Sequence, residues 1–142
     1  TFKKIKIMKT TLKISAILLT LFALITVFMS GSVIFDLFGI REKEGNYVLF
    51  IVIANFISGF IYLIAAYGLF FGRTWTTRLL VFATSILTIS FVGLIWHILN
   101  GGIYEQQTLK AMLFRIAITA VFAGLSWRFT SAEKDYSLIK QK

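Results

Sequence analysis

Six polar or sulfur-bearing side chains could form a chemical site within this largely apolar chain of 142 residues. They are Arg115, His97, Glu105, Asp36, Asn55 and Met112. Arg115 is the most demanding, because its guanidinium has five donors and keeps its proton, so burial requires a partner. The flanking segment, from Ala111 to Trp127, is apolar enough to span a membrane, where a central cation costs about 2.5–3.5 kcal/mol. The sequence therefore predicts a polar cluster centred on Arg115.

Arg115 has two interpretations at this stage. It could form a structural ion pair with Asp36 or Glu105 that fixes helix packing, with His97 or a water completing the shell. It could instead anchor an anionic or carbonyl-bearing ligand that enters from the periplasmic side. We expect an acid within salt-bridge distance, and we expect Asn55 to form a hydrogen bond between helices rather than to line a pocket.

The residue types in this sequence give little support for metal binding or catalysis. A metal site would combine His97 with Asp36, Glu105 or Met112, a mixed set whose spacing matches no known ligand motif. The chain has no cysteine and one histidine, which excludes thiolate sites and a bis-histidine haem within one chain. There is no nucleophile–histidine–acid motif, phosphate-binding glycine loop or paired-carboxylate signature. We expect no metal, no cofactor and a non-enzymatic protein.

The composition identifies the medium in which the chain folds. Hydrophobic residues make up 58% of the sequence and the mean hydropathy is +0.84. A soluble domain of this size could not bury so much apolar surface. Four runs are long enough to cross a hydrocarbon core of roughly 30 Å: Ile14–Phe35, Tyr47–Gly72, Leu79–Tyr104 and about Thr108–Trp127. Although lysines precede the first run as in a secretory signal, it is long and lacks a cleavage site, so we interpret it as a span.

Basic residues predict the orientation of the spans. Eleven lie at one end of the predicted helices: Lys3, Lys4, Lys6, Lys9, Lys13, Arg73, Arg78, Arg128, Lys134, Lys140 and Lys142. Four lie at or near the other end: Arg41, Lys43, Lys110 and Arg115. Both termini should therefore be cytoplasmic. The net charge of +9 indicates anionic lipid headgroups on the cytoplasmic face as partners, rather than nucleic acid.

Each predicted helix has one stripe of small or polar residues at helical spacing, which should face the other helices. The stripes are Phe22, Ile25, Met29, Ser32 and Asp36; Asn55, Ser58, Gly59, Tyr62, Ala65 and Ala66; Ala83, Ile86, Ser90, Gly93 and His97; and Thr108, Met112, Arg115, Thr119, Phe122 and Ser126. The cytoplasmic halves of these stripes consist of apolar and small side chains, which favours a closed pocket over a channel.

Two stretches resemble an uncharacterised group of small bacterial inner-membrane proteins with four helices. The first contains Gly45-Asn46-Tyr47-Val48, then Asn55-Phe56 with Gly59-Phe60 and Tyr62, and ends with Arg73, Trp75 and Arg78. The second runs from His97-Ile98 through Gly101-Gly102, Tyr104-Glu105 and Thr108 to Ala111-Met112 and Arg115. The resemblance implies that His97, Glu105, Met112 and Arg115 belong to one motif. A more distant similarity to DoxX-like proteins rests on the glycine-rich second helix and its two arginines.

The sequence thus predicts a single all-α transmembrane domain, an antiparallel four-helix bundle with both termini inside. Its helices should cover about residues 12–36, 47–72, 78–100 and 107–128. The function favoured is a non-enzymatic inner-membrane protein whose periplasmic half has a polar pocket for a small ligand or a membrane partner. The alternatives are a small homo-oligomeric transporter or channel and a metal-handling membrane protein.

Overall fold

The computed structural model describes residues 2–40, 42 and 45–141, and this part of the chain is helical with no strand. Its four long helices are α1 (Phe2–Ile34), α2 (Leu49–Phe70), α3 (Trp75–Leu99) and α4 (Gln106–Gln141). Each contains a segment long and apolar enough to cross a membrane. The predicted all-helical, multi-span class is confirmed at this level. Arg41, Lys43, Glu44 and Lys142, on which the charge pattern also depends, lie outside the described residues.

Several hydroxyl groups within the helices are satisfied by the helices themselves. Thr20, Thr26, Thr84 and Thr119 each donate to the carbonyl oxygen four residues earlier, at 2.6–2.8 Å. In hydrocarbon, an unpaired polar group costs several kcal/mol, so this bond allows threonine to occupy a membrane-spanning helix. The chain has no proline to interrupt this pattern. Threonines are therefore compatible with long uninterrupted helices here.

Three of the helices end with the same backbone device, a left-handed residue just beyond the last turn. After α2 it is Gly72 (φ 66°), and after α3 it is Gly101 (φ 79°). After α1 the position is occupied by Asp36 (φ 54°), and the next amide, of Leu37, donates to the carbonyl of Ser32 at 2.8 Å. This bond closes the last turn of α1. Asp36 is therefore the residue that reverses the chain after α1.

Each helix packs on its neighbours in the chain, and a smaller contact between α4 and α1 closes the ring. The ammonium nitrogen of Lys13 in α1 lies 5.7 Å from the ring centroid of Phe70, the last residue of α2. At the same end, the hydroxyls of Thr77 in α3 and Ser126 in α4 form a hydrogen bond of 2.9 Å. The core between the helices is apolar and includes Leu12, Leu19, Ala23, Ala65, Leu69, Leu80, Ala83, Leu87 and Leu94.

Burial confirms the predicted inward stripes on α2 and α4 and corrects those on α1 and α3. On α1 the predicted Ile25 is 62% exposed, whereas Ala23, Thr26 and Ser30 are buried. The reason is a close approach at Gly59 of α2, where a Cβ atom would meet Thr26 and Val27. The α3 core is built by leucines rather than by the predicted small residues: Leu80, Leu87 and Leu94, together with Ala83.

The left-handed turn at Asp36 allows a test that separates the effect of the backbone conformation on stability from the effect of the carboxylate. Asp36→Gly and Asp36→Ala both remove the carboxylate, but only glycine adopts a positive φ without steric cost. We expect the glycine variant to be more stable than the alanine variant by about 1 kcal/mol in unfolding titrations in detergent. Equal stabilities of the two variants would contradict this role for the turn.

Candidate functional site

A cavity of about 260 Å³ lies between α1, α2 and α4 at the end of the molecule where α1 ends and α2 and α4 begin. We call this end the Glu105 end. The residues that line the cavity are Met29, Ser30 and Val33 of α1; Tyr47, Val48, Ile51, Val52 and Asn55 in or just before α2; and Glu105, Gln107, Thr108, Ala111, Met112 and Arg115 in or just before α4. It lies where α1 and α4 are in limited contact, so the gap between these two helices becomes the cavity.

Arg115 reaches the cavity from α4 at its deepest level. It is nine residues from Gln106, which places its Cα about 13.5 Å along the helix axis. Its Nη1 donates a hydrogen bond of 2.6 Å to the hydroxyl of Thr26, and its guanidinium lies 5.2 Å from the ring centroid of Phe22. The Nε atom is buried and has no hydrogen-bond partner within the described part of the chain. Arg115 therefore retains unused donor capacity inside the protein.

The hydroxyl of Thr26 acts as both a donor and an acceptor in this arrangement. It donates its proton to the carbonyl oxygen of Phe22 at 2.8 Å while accepting from Arg115. A hydroxyl with its proton fixed in this way offers its lone pairs to the guanidinium without rotating. The Phe22 ring adds a cation–π contact, worth about 0.5–2 kcal/mol depending on desolvation. Neither contact neutralises the charge.

The prediction of an ion pair with Asp36 or Glu105 is wrong. Within the described residues, no carboxylate oxygen lies within 4.0 Å of an Arg115 nitrogen. Glu105 does line the same cavity, but ten residues separate it from Arg115, which amounts to about 15 Å along a helix axis. The two opposite charges thus share a cavity without meeting.

Below the guanidinium, hydrogen bonds and rings form a floor. The hydroxyl of Thr119 donates to the carbonyl oxygen of Arg115 at 2.6 Å. Because this commits its one proton, the hydroxyl of Tyr62 must donate in the 2.6 Å bond that joins it to Thr119. The rings of Phe22 and Tyr62 pack with centroids 5.5 Å apart. Tyr62 is fully buried, so the cavity is bounded at this level by a satisfied network.

Glu105 is held at the mouth of the cavity by the loop that precedes α2. Its Oε1 accepts a hydrogen bond of 3.0 Å from the backbone N–H of Asn46. A Cβ atom at Gly45, whose φ is 71°, would come 2.6 Å from the same oxygen, so glycine permits the close approach. A carboxylate has about four acceptor sites, and one bond to Asn46 leaves capacity for another partner.

Asn55 and Met112 occupy the wall between these two charges. The Asn55 side chain was expected to join two helices, but its Oδ1 is buried without a hydrogen-bond partner among the described residues. Asn55 lies six residues into α2, about 9 Å along the axis and therefore less deep than Arg115. Met112, one turn before Arg115, is 1% exposed and supplies apolar wall. A residue with an unpaired carbonyl oxygen thus lines the same cavity as the arginine.

His97 and Asp36 are not among the residues that line the cavity, which corrects the predicted cluster. The Nε2 of His97 donates to the carbonyl oxygen of Ile103 at 3.0 Å and closes the turn between α3 and α4. Its ring faces an apolar groove formed mainly by α2. Asp36 is exposed in the turn after α1. Both residues belong to turns at helix ends. The spacing of residues along a helix does not predict the geometry of such turns.

Sequence reasoning missed several polar residues of the cavity. Tyr47 is half-buried and lines the cavity together with Ser30. Thr26, the partner of Arg115, resembles the other threonines of the chain until α1 and α4 are placed together. The available signal was the short distance in sequence from Asn46 and Tyr47 to Asn55. Asn46 and Tyr47 lie just before α2, so they are at the same end of the molecule as Asn55.

Comparisons with known proteins add no assignment. No protein-family model matches the sequence, and no significant match was found among the curated proteins or the solved structures.

The unpaired state of Arg115 predicts an unusual response to its removal. Arg115→Met deletes a buried cation while Thr26 keeps its bond to Phe22, so we expect the free energy of unfolding in detergent to remain within about 1 kcal/mol of the parent or to increase. Loss of a partner from a buried ion pair would cost about 3–5 kcal/mol instead.

Leu19→Ala provides the control for this measurement. Leu19 is fully buried, and its truncation should cost about 2–5 kcal/mol, which shows that the titration detects destabilisation. A loss of 3 kcal/mol or more in Arg115→Met would mean that the guanidinium is primarily structural.

Proposed function

We propose that this protein is a non-enzymatic, multi-pass membrane protein that binds a small ligand in the cavity at the Glu105 end. Arg115 is the anchor for an anionic or carbonyl oxygen of the ligand. The observation that carries the proposal is the largely buried guanidinium of Arg115, a residue that lines the cavity, with an unpartnered Nε and no carboxylate beside it in the described part of the chain. Displacing hydration from a cation without replacing it is costly, so a ligand oxygen at this position gains a strong, charge-assisted contact.

A pocket fits the structure better than a channel. The cavity ends at the level of Arg115. Beneath it lie Tyr62, which is fully buried, and apolar core residues such as Leu19 and Leu69. A conduction path through one chain would have to cross this packed layer. The size supports the same conclusion, since 260 Å³ corresponds to about nine water volumes.

The proposed setting is a bacterial inner membrane with an antiparallel bundle and both termini in the cytoplasm. The contacts of Lys13 with Phe70 and of Thr77 with Ser126 support neighbouring helices that run in opposite directions. The excess of basic residues at that end supports a cytoplasmic location, with anionic lipids as contacts. The cavity then faces the periplasm.

This orientation predicts the labelling of single cysteines, which the cysteine-free chain makes straightforward. Ile103, between α3 and α4, and Lys140, near the end of α4, are both exposed. In intact cells or sealed spheroplasts, an impermeant maleimide should label Ile103→Cys and leave Lys140→Cys unlabelled until the membrane is opened. The reverse pattern would place the cavity on the cytoplasmic side and reject the orientation.

Ligand access and charge preference can be tested with a cysteine beside the anchor. Ala111→Cys places a thiol on an exposed residue of the cavity lining, one turn from Arg115, and small thiosulfonate reagents with a negative or a positive charge should both reach it. We expect Arg115→Gln to lower the ratio of anionic to cationic labelling rates about fivefold or more, because a unit charge at this distance changes the two rates in opposite directions.

Two controls define this test. Arg78→Gln removes an exposed cation on α3, outside the cavity, and should leave the ratio unchanged. A cysteine at Leu94, which is fully buried, should react slowly with both reagents. An unreactive Ala111→Cys, or a ratio that does not depend on Arg115, would reject the proposed anion-binding pocket.

A further inference from the structure

The cavity brings together three polar groups at three depths, and their chemistry differs. Glu105 lies at the mouth, Asn55 at an intermediate level and Arg115 at the bottom, according to their distances from the helix ends. Arg115 can only donate, the ionised Glu105 can only accept, and the unpartnered atom of Asn55 is its carbonyl oxygen. The deep part therefore suits an acceptor, whereas the upper part suits a donor.

We propose that the ligand is a small zwitterion, with its anionic group at Arg115 and its ammonium group between Asn55 and Glu105. This inference rests on the proposed function and specifies its ligand class. A simple anion would meet Arg115 but would leave the Asn55 oxygen unpaired and would pass a like charge at Glu105. A cation would meet the opposite difficulty at Arg115. A molecule with both charges satisfies all three groups.

Separation of the two protein charges is needed for this selectivity. Because Glu105 does not reach Arg115, neither charge cancels the other, and a ligand can bridge them. Glu105 is fixed at the mouth by the Asn46 amide, and Arg115 is fixed at the bottom by Thr26. The cavity volume limits the occupant to roughly ten non-hydrogen atoms, which is the size of an amino acid or of an aminoalkyl phosphate.

Two sources could supply such a group. One is a free zwitterion from the periplasmic side, and the other is the headgroup of a zwitterionic phospholipid entering through the gap between α1 and α4. Both present an anion and an ammonium separated by a few bonds. The binding chemistry is shared, and the experiment separates the sources.

The experiment uses the full chain in detergent and isothermal titration calorimetry with probes of matched length. The probes are 4-aminobutyrate, butyrate and butylamine, together with glycerophosphoethanolamine and glycerophosphoglycerol. We expect each zwitterion to bind at least tenfold more tightly than its anion-only counterpart, and we expect butylamine to bind most weakly. Arg115→Gln should abolish binding of all the anions.

Glu105→Gln is the decisive variant because its amide oxygen can still accept from Asn46 while the charge is lost. The preference for zwitterion over anion should fall to about twofold or less, with binding of butyrate maintained or improved. Glu42→Gln removes an exposed acid from the loop between α1 and α2, which is not part of the cavity lining, and should behave as the parent.

The outcomes of this experiment distinguish the two sources of the ligand. They also distinguish the zwitterion proposal from the proposed anion pocket. Tighter binding of glycerophosphoethanolamine than of 4-aminobutyrate, with phosphatidylethanolamine retained over phosphatidylglycerol in native mass spectrometry, would assign the lipid headgroup; the reverse order would assign a free zwitterion. Arg115-dependent binding of butyrate and 4-aminobutyrate with equal affinity would overturn the zwitterion and leave the anion pocket standing. Absence of binding by every anionic probe would overturn both.

Discussion

A largely buried guanidinium that has no carboxylate partner among the described residues is the constraint around which the Glu105 end of this protein is organised. Arg115 is held by the hydroxyl of Thr26 and the face of Phe22, which together stabilise its position but leave its charge intact. The direct contact between α1 and α4 is limited, so the bond between Arg115 and Thr26 is a principal polar link across that gap. Through Thr119 and Tyr62, the same residue is connected to α2.

The cavity is difficult to explain as a packing defect. A sealed, dry void of 260 Å³ would cost about 6 kcal/mol at roughly 24 cal/mol per Å³, comparable to the whole stability of a small domain. A polar lining reduces this cost because water or a ligand can occupy the space. The combination of polar lining and open volume therefore favours a binding role over a structural one.

The sequence predicts the depth of Arg115 and its association with Glu105, Asn55 and Met112, because these follow from helix length and the periodic stripes on α2 and α4. It does not predict Thr26 as the partner, since α1 is apolar around most of its circumference and periodicity cannot select the face that meets Gly59. It also misplaces Asp36 and His97. Their positions depend on the left-handed residue after α1 and on a hydrogen bond to Ile103, which are properties of turns rather than of helix faces.

The loop before α2 helps to explain why Glu105 does not neutralise the charge of Arg115 within the cavity. Glu105 and Arg115 are separated by about 15 Å along the helix axis, so a direct pair would require both side chains to extend toward each other. Here the Asn46 amide holds the carboxylate at the mouth, and the positive φ of Gly45 allows the close backbone approach that this bond requires. Thr26 fixes the guanidinium at the other end. The opposite charges are thus kept apart by contacts made within the protein, and that separation is what makes them available to a third molecule.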